Sequence, residues 1–151
     1  MKDQLLSTDD VSLRQKVADL LSLQLFNKDV IDTIYANTRV RSFEEGEEII
    51  REGEVNTWIY FILSGNVRLV RNRREIMRLR RYGDIIGLLS FIDEKPHPFA
   101  AIAGKDTQCL AMDSSLMSAL EVNNHMDFHY IVNRIFTETL AEHLRMAIND
   151  L

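Results

Sequence analysis

Between Val40 and Met112 short apolar runs alternate with turn residues, and this rhythm constrains the fold more than any other feature of the chain. The interruptions fall at Glu45-Gly46, Glu52-Gly53, Ser64-Gly65-Asn66, Asn72-Arg73-Arg74 and Tyr82-Gly83-Asp84. Their spacing is close to the about 8–12 residues expected of a β-sandwich or barrel. Trp58 to Leu63 reads as a buried strand and Val67 to Val70 as its hairpin partner. Ala100 to Ala103 and Thr107 to Met112 read as the last strands. Pro96 and Pro98 bound an irregular loop, because proline cannot donate to a ladder.

Helical spacing flanks this segment on both sides. Thr8, Asp9 and Asp10 offer N-cap side chains before a helix over 11–24, with Val17, Leu20, Leu21 and Leu25 at helical intervals. Asn27 can cap a second short helix carrying Val30, Ile31 and Ile34. Helix returns over Ser114 to Glu121, and a long helix follows from Met126 to Ile148. In the long helix Val132, Phe136, Leu140, Leu144 and Ile148 form one apolar stripe, while Arg134, Glu138, Glu142 and Arg145 share a polar face with charge pairs. The apolar surface is wider than one packing contact needs. One expectation is therefore a homodimer through Val132, Phe136, Leu140 and Leu144; the plainer reading is a helix buried by its own domain. The fold class expected is mostly β with flanking helices: one domain over 1–151, with N-terminal helices in 1–38, a jelly roll in 39–113 and C-terminal helices in 114–151.

Composition narrows the function classes. The chain has 151 residues with a net charge of −5, which disfavours nucleic acid as a partner. No stretch of about 18 apolar residues is present to span a membrane. Residues Met1 to Asp10 lack the apolar centre of a signal peptide. The single Cys109 forms no internal disulfide, consistent with a reducing, cytoplasmic setting.

The order Phe43-x-x-Gly46-x-x-Ile49-Ile50-x-Glu52-Gly53, then Tyr60-Phe61-Ile62-Leu63-Ser64-Gly65-x-Val67, then Gly83-Asp84-Ile85-Ile86-Gly87 resembles the cyclic-nucleotide-binding domain. The likeness runs from the first helix to the last. It implies a double-stranded β-helix (jelly roll) in which Gly87 opens a short segment that cradles a cyclic phosphate. It also implies a long terminal helix similar to the dimer helix of catabolite-activator-like regulators. In those regulators a helix-turn-helix domain follows that helix. Here the sequence stops at Leu151, so direct DNA binding is not expected from this chain. The family pattern at the cassette is Gly-Glu-Leu, with an Arg and a Ser or Thr about ten residues on. Here Leu88 stands in the slot of the acid, Pro98 in that of the Arg and Phe99 in that of the Ser or Thr. The candidate pocket is Gly87, Leu88, Leu89, Ser90, Pro98, Phe99 and Ala100, with Arg78 as a substitute for the missing phosphate Arg. The ligand expected is a cyclic nucleotide or another small anion, with weak or no binding of cyclic AMP. A scaffold that binds no ligand and serves dimerisation or partner docking is the competing reading.

Other constellations are weaker. Arg68, Arg71, Arg73, Arg74, Arg78, Arg80 and Arg81 form the one basic cluster, read either as the wet face of a hairpin or as a patch for an acidic partner or nucleic acid. His125 and His129 have the helical spacing of a metal clasp but no evident third ligand, so no metal or cofactor is expected. His97 is expected to face water, His143 to lie at the surface, and Cys109 to be a buried inert thiol. No Gly-x-Ser-x-Gly, P-loop or Cys-x-x-Cys is present, and no enzymatic activity is expected.

Overall fold

A computed structural model of the chain describes residues 1–5, 11–20, 28–113, 115 and 126–151. The chain divides into two compact units, one of Met1–Leu5 with Asn37–Ser114 and one of Leu6–Ala36 with Ser115–Leu151. The first unit holds the strands β1 (Lys2–Leu5), β2 (Thr38–Phe43), β3 (Glu48–Ile50), β4 (Trp58–Ser64), β5 (Val67–Arg71), β6 (Arg74–Leu79), β7 (Ile85–Ile86), β8 (Ala100–Ala103) and β9 (Thr107–Asp113). Two antiparallel sheets result, in the orders β1-β2-β9-β4-β7 and β3-β8-β5-β6, the jelly roll expected from the sequence.

Strand β9 pairs with β2 through Val40↔Leu110 and with β4 through Phe61↔Leu110. Ile59, Phe61, Ile62, Cys109, Leu110 and Ala111 are all at most 1% exposed, so successive residues are buried and both faces of the central strands are covered. A continuous apolar run such as Trp58–Leu63 suits such a strand, whereas a strand with one wet face would alternate. Val67, Leu79, Ala101 and Ala103 supply buried side chains from the second sheet.

The polar segment Lys2–Leu5 carries no strand signal, yet it pairs with β2 from Lys2↔Ser42 to Leu5↔Arg39. Cross-strand charge explains the choice. Asp3 accepts from Arg39 Nη1 at 3.2 Å and from Arg41 Nη2 at 3.4 Å. The Arg41 guanidinium lies 4.1 Å above the Trp58 ring, and its Nη1 donates to the Tyr60 hydroxyl at 2.8 Å. This cation–π and hydrogen-bond contact ties β2 to β4 across β9. Burial raises the Tyr60 pKa, an effect that Arg41 partly offsets.

The second unit contains α1 (Val11–Leu20), α2 (Lys28–Asn37, whose last residue belongs to the first unit) and the long helix α4 (Met126–Asn149). Arg14 lies 4.1 Å over the Tyr35 ring, and Tyr35 donates to the Arg14 carbonyl, which locks α1 to α2. Expected helical residues 21–24 and the expected helix over 114–121, Ser115 apart, lie outside the described residues, as does His125. In α4 the Arg134–Glu138 pair forms at 3.1 Å.

Gly65, at φ 79, turns the β4–β5 hairpin against β9. A Cβ there would lie 2.5 Å from the Thr107 Cα, which leaves room only for hydrogen. Thr107 secures the contact. Its hydroxyl reaches the carbonyls of Asn66 at 2.8 Å and Gly104 at 2.9 Å. A Gly65→Ala variant combines a left-handed backbone with this overlap and is expected to lose about 2 kcal/mol or more in urea unfolding. An unchanged midpoint would show that the hairpin can shift away from Thr107.

Candidate functional site

The cassette hangs from β4. The Ile62 N–H donates to the Asp84 carbonyl and the Gly83 N–H to the Ile62 carbonyl, both at 2.8 Å. The Asp84 carboxylate, 6% exposed, accepts the Arg81 N–H at 3.0 Å and closes the turn before β7. Gly87 follows at φ 91 and caps the short helix α3 (Leu88–Asp93) without a side-chain cap bond. A Cβ on Gly87 would meet the Trp58 carbonyl at 2.7 Å. Glycine is therefore needed for its φ and for the close approach to β4.

Leu88 is buried, at 4% exposure, and Leu89 is largely exposed. Ser90 is buried, whereas Pro98, Phe99 and Ala100 are half-buried. The residue in the acid's slot thus contributes to the core. Arg78 lies on β6 opposite Arg68, which in turn pairs with Ile102 of β8. Its guanidinium is held by Glu75, with Nη2 at 2.6 Å and Nε at 3.1 Å.

His97 corrects the expectation of a water-facing side chain. It is 2% exposed, and its Nδ1 lies 2.8 Å from the Ser90 hydroxyl. Its backbone is also fixed: the His97 N–H donates to the Glu54 carbonyl at 3.0 Å, and the Gly53 N–H donates to the His97 carbonyl at 2.8 Å. Its Nε2 is buried and has no hydrogen-bond partner among the described residues. The ring's Cε1 would stand 3.8 Å from a Cβ at Gly87, so the imidazole lies beside the cassette turn. Burial lowers the His97 pKa, with Glu54 pulling weakly the other way. Neither composition nor periodicity signals this residue. Its place between Pro96 and Pro98, which stiffen the loop that carries it, is the one local hint.

Ser90 and His97 make a polar pair inside an apolar setting, beside the backbone of Gly87. The arrangement presents a neutral imidazole, a hydroxyl and main-chain groups at a helix start, rather than the charged acid and arginine of the family pattern. Among the described residues no group of three or more His, Cys, Asp or Glu is placed to hold a metal. The Cys109 thiol is fully buried and its pKa is pushed up to about 12, so it is inert as the sequence suggested.

The sequence model of the cyclic nucleotide-binding domain matches residues 40–123, more than half of the chain. The protein belongs to the cyclic nucleotide-binding domain family. The domains of this family are regulatory rather than catalytic. A cGMP-dependent protein kinase of Toxoplasma gondii is 24% identical over 139 residues, a match that covers 92% of this chain but 14% of the kinase. A cyclic nucleotide-binding domain from Methylobacillus flagellatus superposes with a TM-score of 0.78 at 16% identity, over 93% of this chain and 83% of that one. The regulatory subunit of a cAMP-independent protein kinase A from Trypanosoma cruzi, solved with guanosine bound, gives a TM-score of 0.64 at 14% identity, over 76% of this chain and 43% of that one. Among the described residues no helix is long and apolar enough to cross a membrane.

The His97 environment has a measurable consequence. Its folded pKa lies below the ordinary 6.5, so the unfolded chain takes up the proton first as pH falls. Stability contributed at this site is present above about 6.5 and is lost as pH falls from there through the lower folded pKa. Urea midpoints measured at about pH 7.5 and pH 5.5 are expected to fall further in the natural chain than in His97→Gln. An identical fall in both would place the sensitivity elsewhere.

Proposed function

We propose that this domain is a non-catalytic, cytoplasmic sensor whose cassette takes a small anionic or nucleotide-like ligand with specificity shifted away from cyclic AMP. The observation that carries this reading is the mismatch within the cassette. Gly87, in the left-handed region, leads directly into α3, while Leu88 and Pro98 stand where the family pattern has its acid and its arginine. Gly87, Leu88, Leu89 and Ser90 line the turn, with Pro98, Phe99 and Ala100 following His97. Each missing charge-assisted hydrogen bond is worth about 1.5–3 kcal/mol. Two such losses weaken cyclic AMP binding by about 10²–10⁴-fold. The trypanosome neighbour supports the reading, because that regulatory subunit shares this fold, belongs to a cAMP-independent protein kinase A and holds guanosine. Arg78 is engaged by Glu75 through Nε and Nη2.

Isothermal calorimetry is expected to give a cyclic AMP Kd weaker than about 1 μM. Pro98→Arg, at a half-buried position, is expected to strengthen binding by about tenfold or more if the cassette backbone remains competent. A tight Kd in the natural chain would overturn the altered-specificity reading. A folded Pro98→Arg chain that gains nothing, alone or with Leu88→Glu, would favour the competing scaffold that binds no ligand. The burial of Leu88 speaks for that alternative.

We further propose that the sensor self-associates through α4. Phe136 is buried in its own chain at 4% exposure and Leu140 is half-buried, whereas Leu144 and Ile148 are 63% and 56% exposed. The side chain of Val132 lies outside the described residues. The stripe therefore continues outward as Leu144 and Ile148, one helical turn apart. Sedimentation is expected to show a dimer at about 100 μM and a monomer when both are replaced by Glu. A monomeric natural chain at that concentration would count against the dimer.

A further inference from the structure

The β5–β6 hairpin concentrates charge in an arrangement that folding alone disfavours. Residues 67–81 carry seven arginines against one glutamate, a net +6, in a chain of net −5, which leaves −11 for the other residues. The register sets Arg68 directly opposite Arg78 and Arg71 directly opposite Arg74. Like charges facing each other across a ladder are destabilising. Glu75 neutralises Arg78. Arg71, Arg73, Arg74 and Arg80 are exposed and have no ion-pair partner among the described residues.

The turn adds an independent observation. Asn72 and Arg73 both have positive φ, at 51 and 65, which is the two-residue turn that normally takes Asn-Gly. Arginine thus stands where glycine would relieve the backbone. A strained residue in an over-determined turn points to selection for its side chain.

Edge protection does not account for the pattern. β6 is the edge of its sheet, and charge does deter edge pairing, but that task favours lysine. The chain has five lysines and none lies in the hairpin. The edge is also already broken by an irregularity between Leu69 and Val70, where Leu69↔Met77 gives way to Val70↔Glu75 and leaves Ile76 without a partner in the register. Arginine differs from lysine in its planar fork, which engages carboxylates in bidentate fashion.

We propose that the β5–β6 hairpin is a docking surface for an acidic segment of a partner protein, held by Arg71, Arg73, Arg74 and Arg80. The partner is a short acidic segment rather than a nucleic acid because the positive field is local. Five residues of strand span about 17 Å, and the field decays over about 8 Å at physiological ionic strength. A long polyanion extends well beyond so short a field.

Fluorescence anisotropy on the full chain, with labelled octaglutamate as the probe, tests this. Octaglutamate is expected to bind, and to weaken as salt is raised from about 50 to 200 mM. Arg71→Glu with Arg74→Glu is expected to weaken it by about tenfold or more. Arg73→Gly is the control against misfolding. It is expected to hold or raise the urea midpoint while weakening the peptide by about threefold. Octathymidylate and phosphatidylserine vesicles serve as competing probes. Tighter binding of either, absence of octaglutamate binding at low salt, or unchanged affinity in the arginine variants would overturn the proposal.

Discussion

Cys109, Leu110 and Ala111 are buried in β9 with β2 on one edge and β4 on the other. No water reaches the backbone polar groups there, so each must find a partner in the ladder. A slip of one residue would turn every side chain to the opposite face. The register of three strands is therefore fixed together. From β4 the constraint passes outward: Ile62 holds the Gly83-Asp84 turn, that turn aims β7, and Gly87 lands against the Trp58 carbonyl. The cassette inherits its position from β4.

The sequence revealed most where burial dictates pattern. Trp58–Leu63, Val67–Val70 and Thr107–Met112 were legible as strands because their apolar runs meet two covered faces or a clear alternation. The glycine turns were legible because positive φ excludes most side chains. Lys2–Leu5 was not legible, since its pairing rests on Asp3 meeting Arg39 and Arg41, more than thirty residues away. β3 and β7 are too short to show a period. α3 starts without a side-chain cap, so the usual start signal is missing. At the site, the substitutions at Leu88 and Pro98 could be seen in the sequence because the glycine frame aligns them. The burial of His97 could not, because it depends on Ser90 and on backbone contacts with Gly53 and Glu54.

Shape and chemistry are separable in this cassette. The turn is specified by backbone conformation at Gly87 and by the anchor at Asp84, not by the side chains of Leu88 and Pro98. A domain can thus keep its fold while the groups that would read a ligand change from charged to neutral. The Ser90–His97 pair beside the turn is polar, desolvated and uncharged at neutral pH.

The position of Cys109 has a practical side. It is the only cysteine in the chain, it is fully enclosed, and its thiolate is suppressed. Maleimide and spin-label reagents attack thiolates at accessible sites. The natural sequence is therefore a silent background for labelling. A single cysteine placed on the hairpin or at the outer end of α4 would carry the only reactive sulfur, so either place can be labelled without removing a core residue.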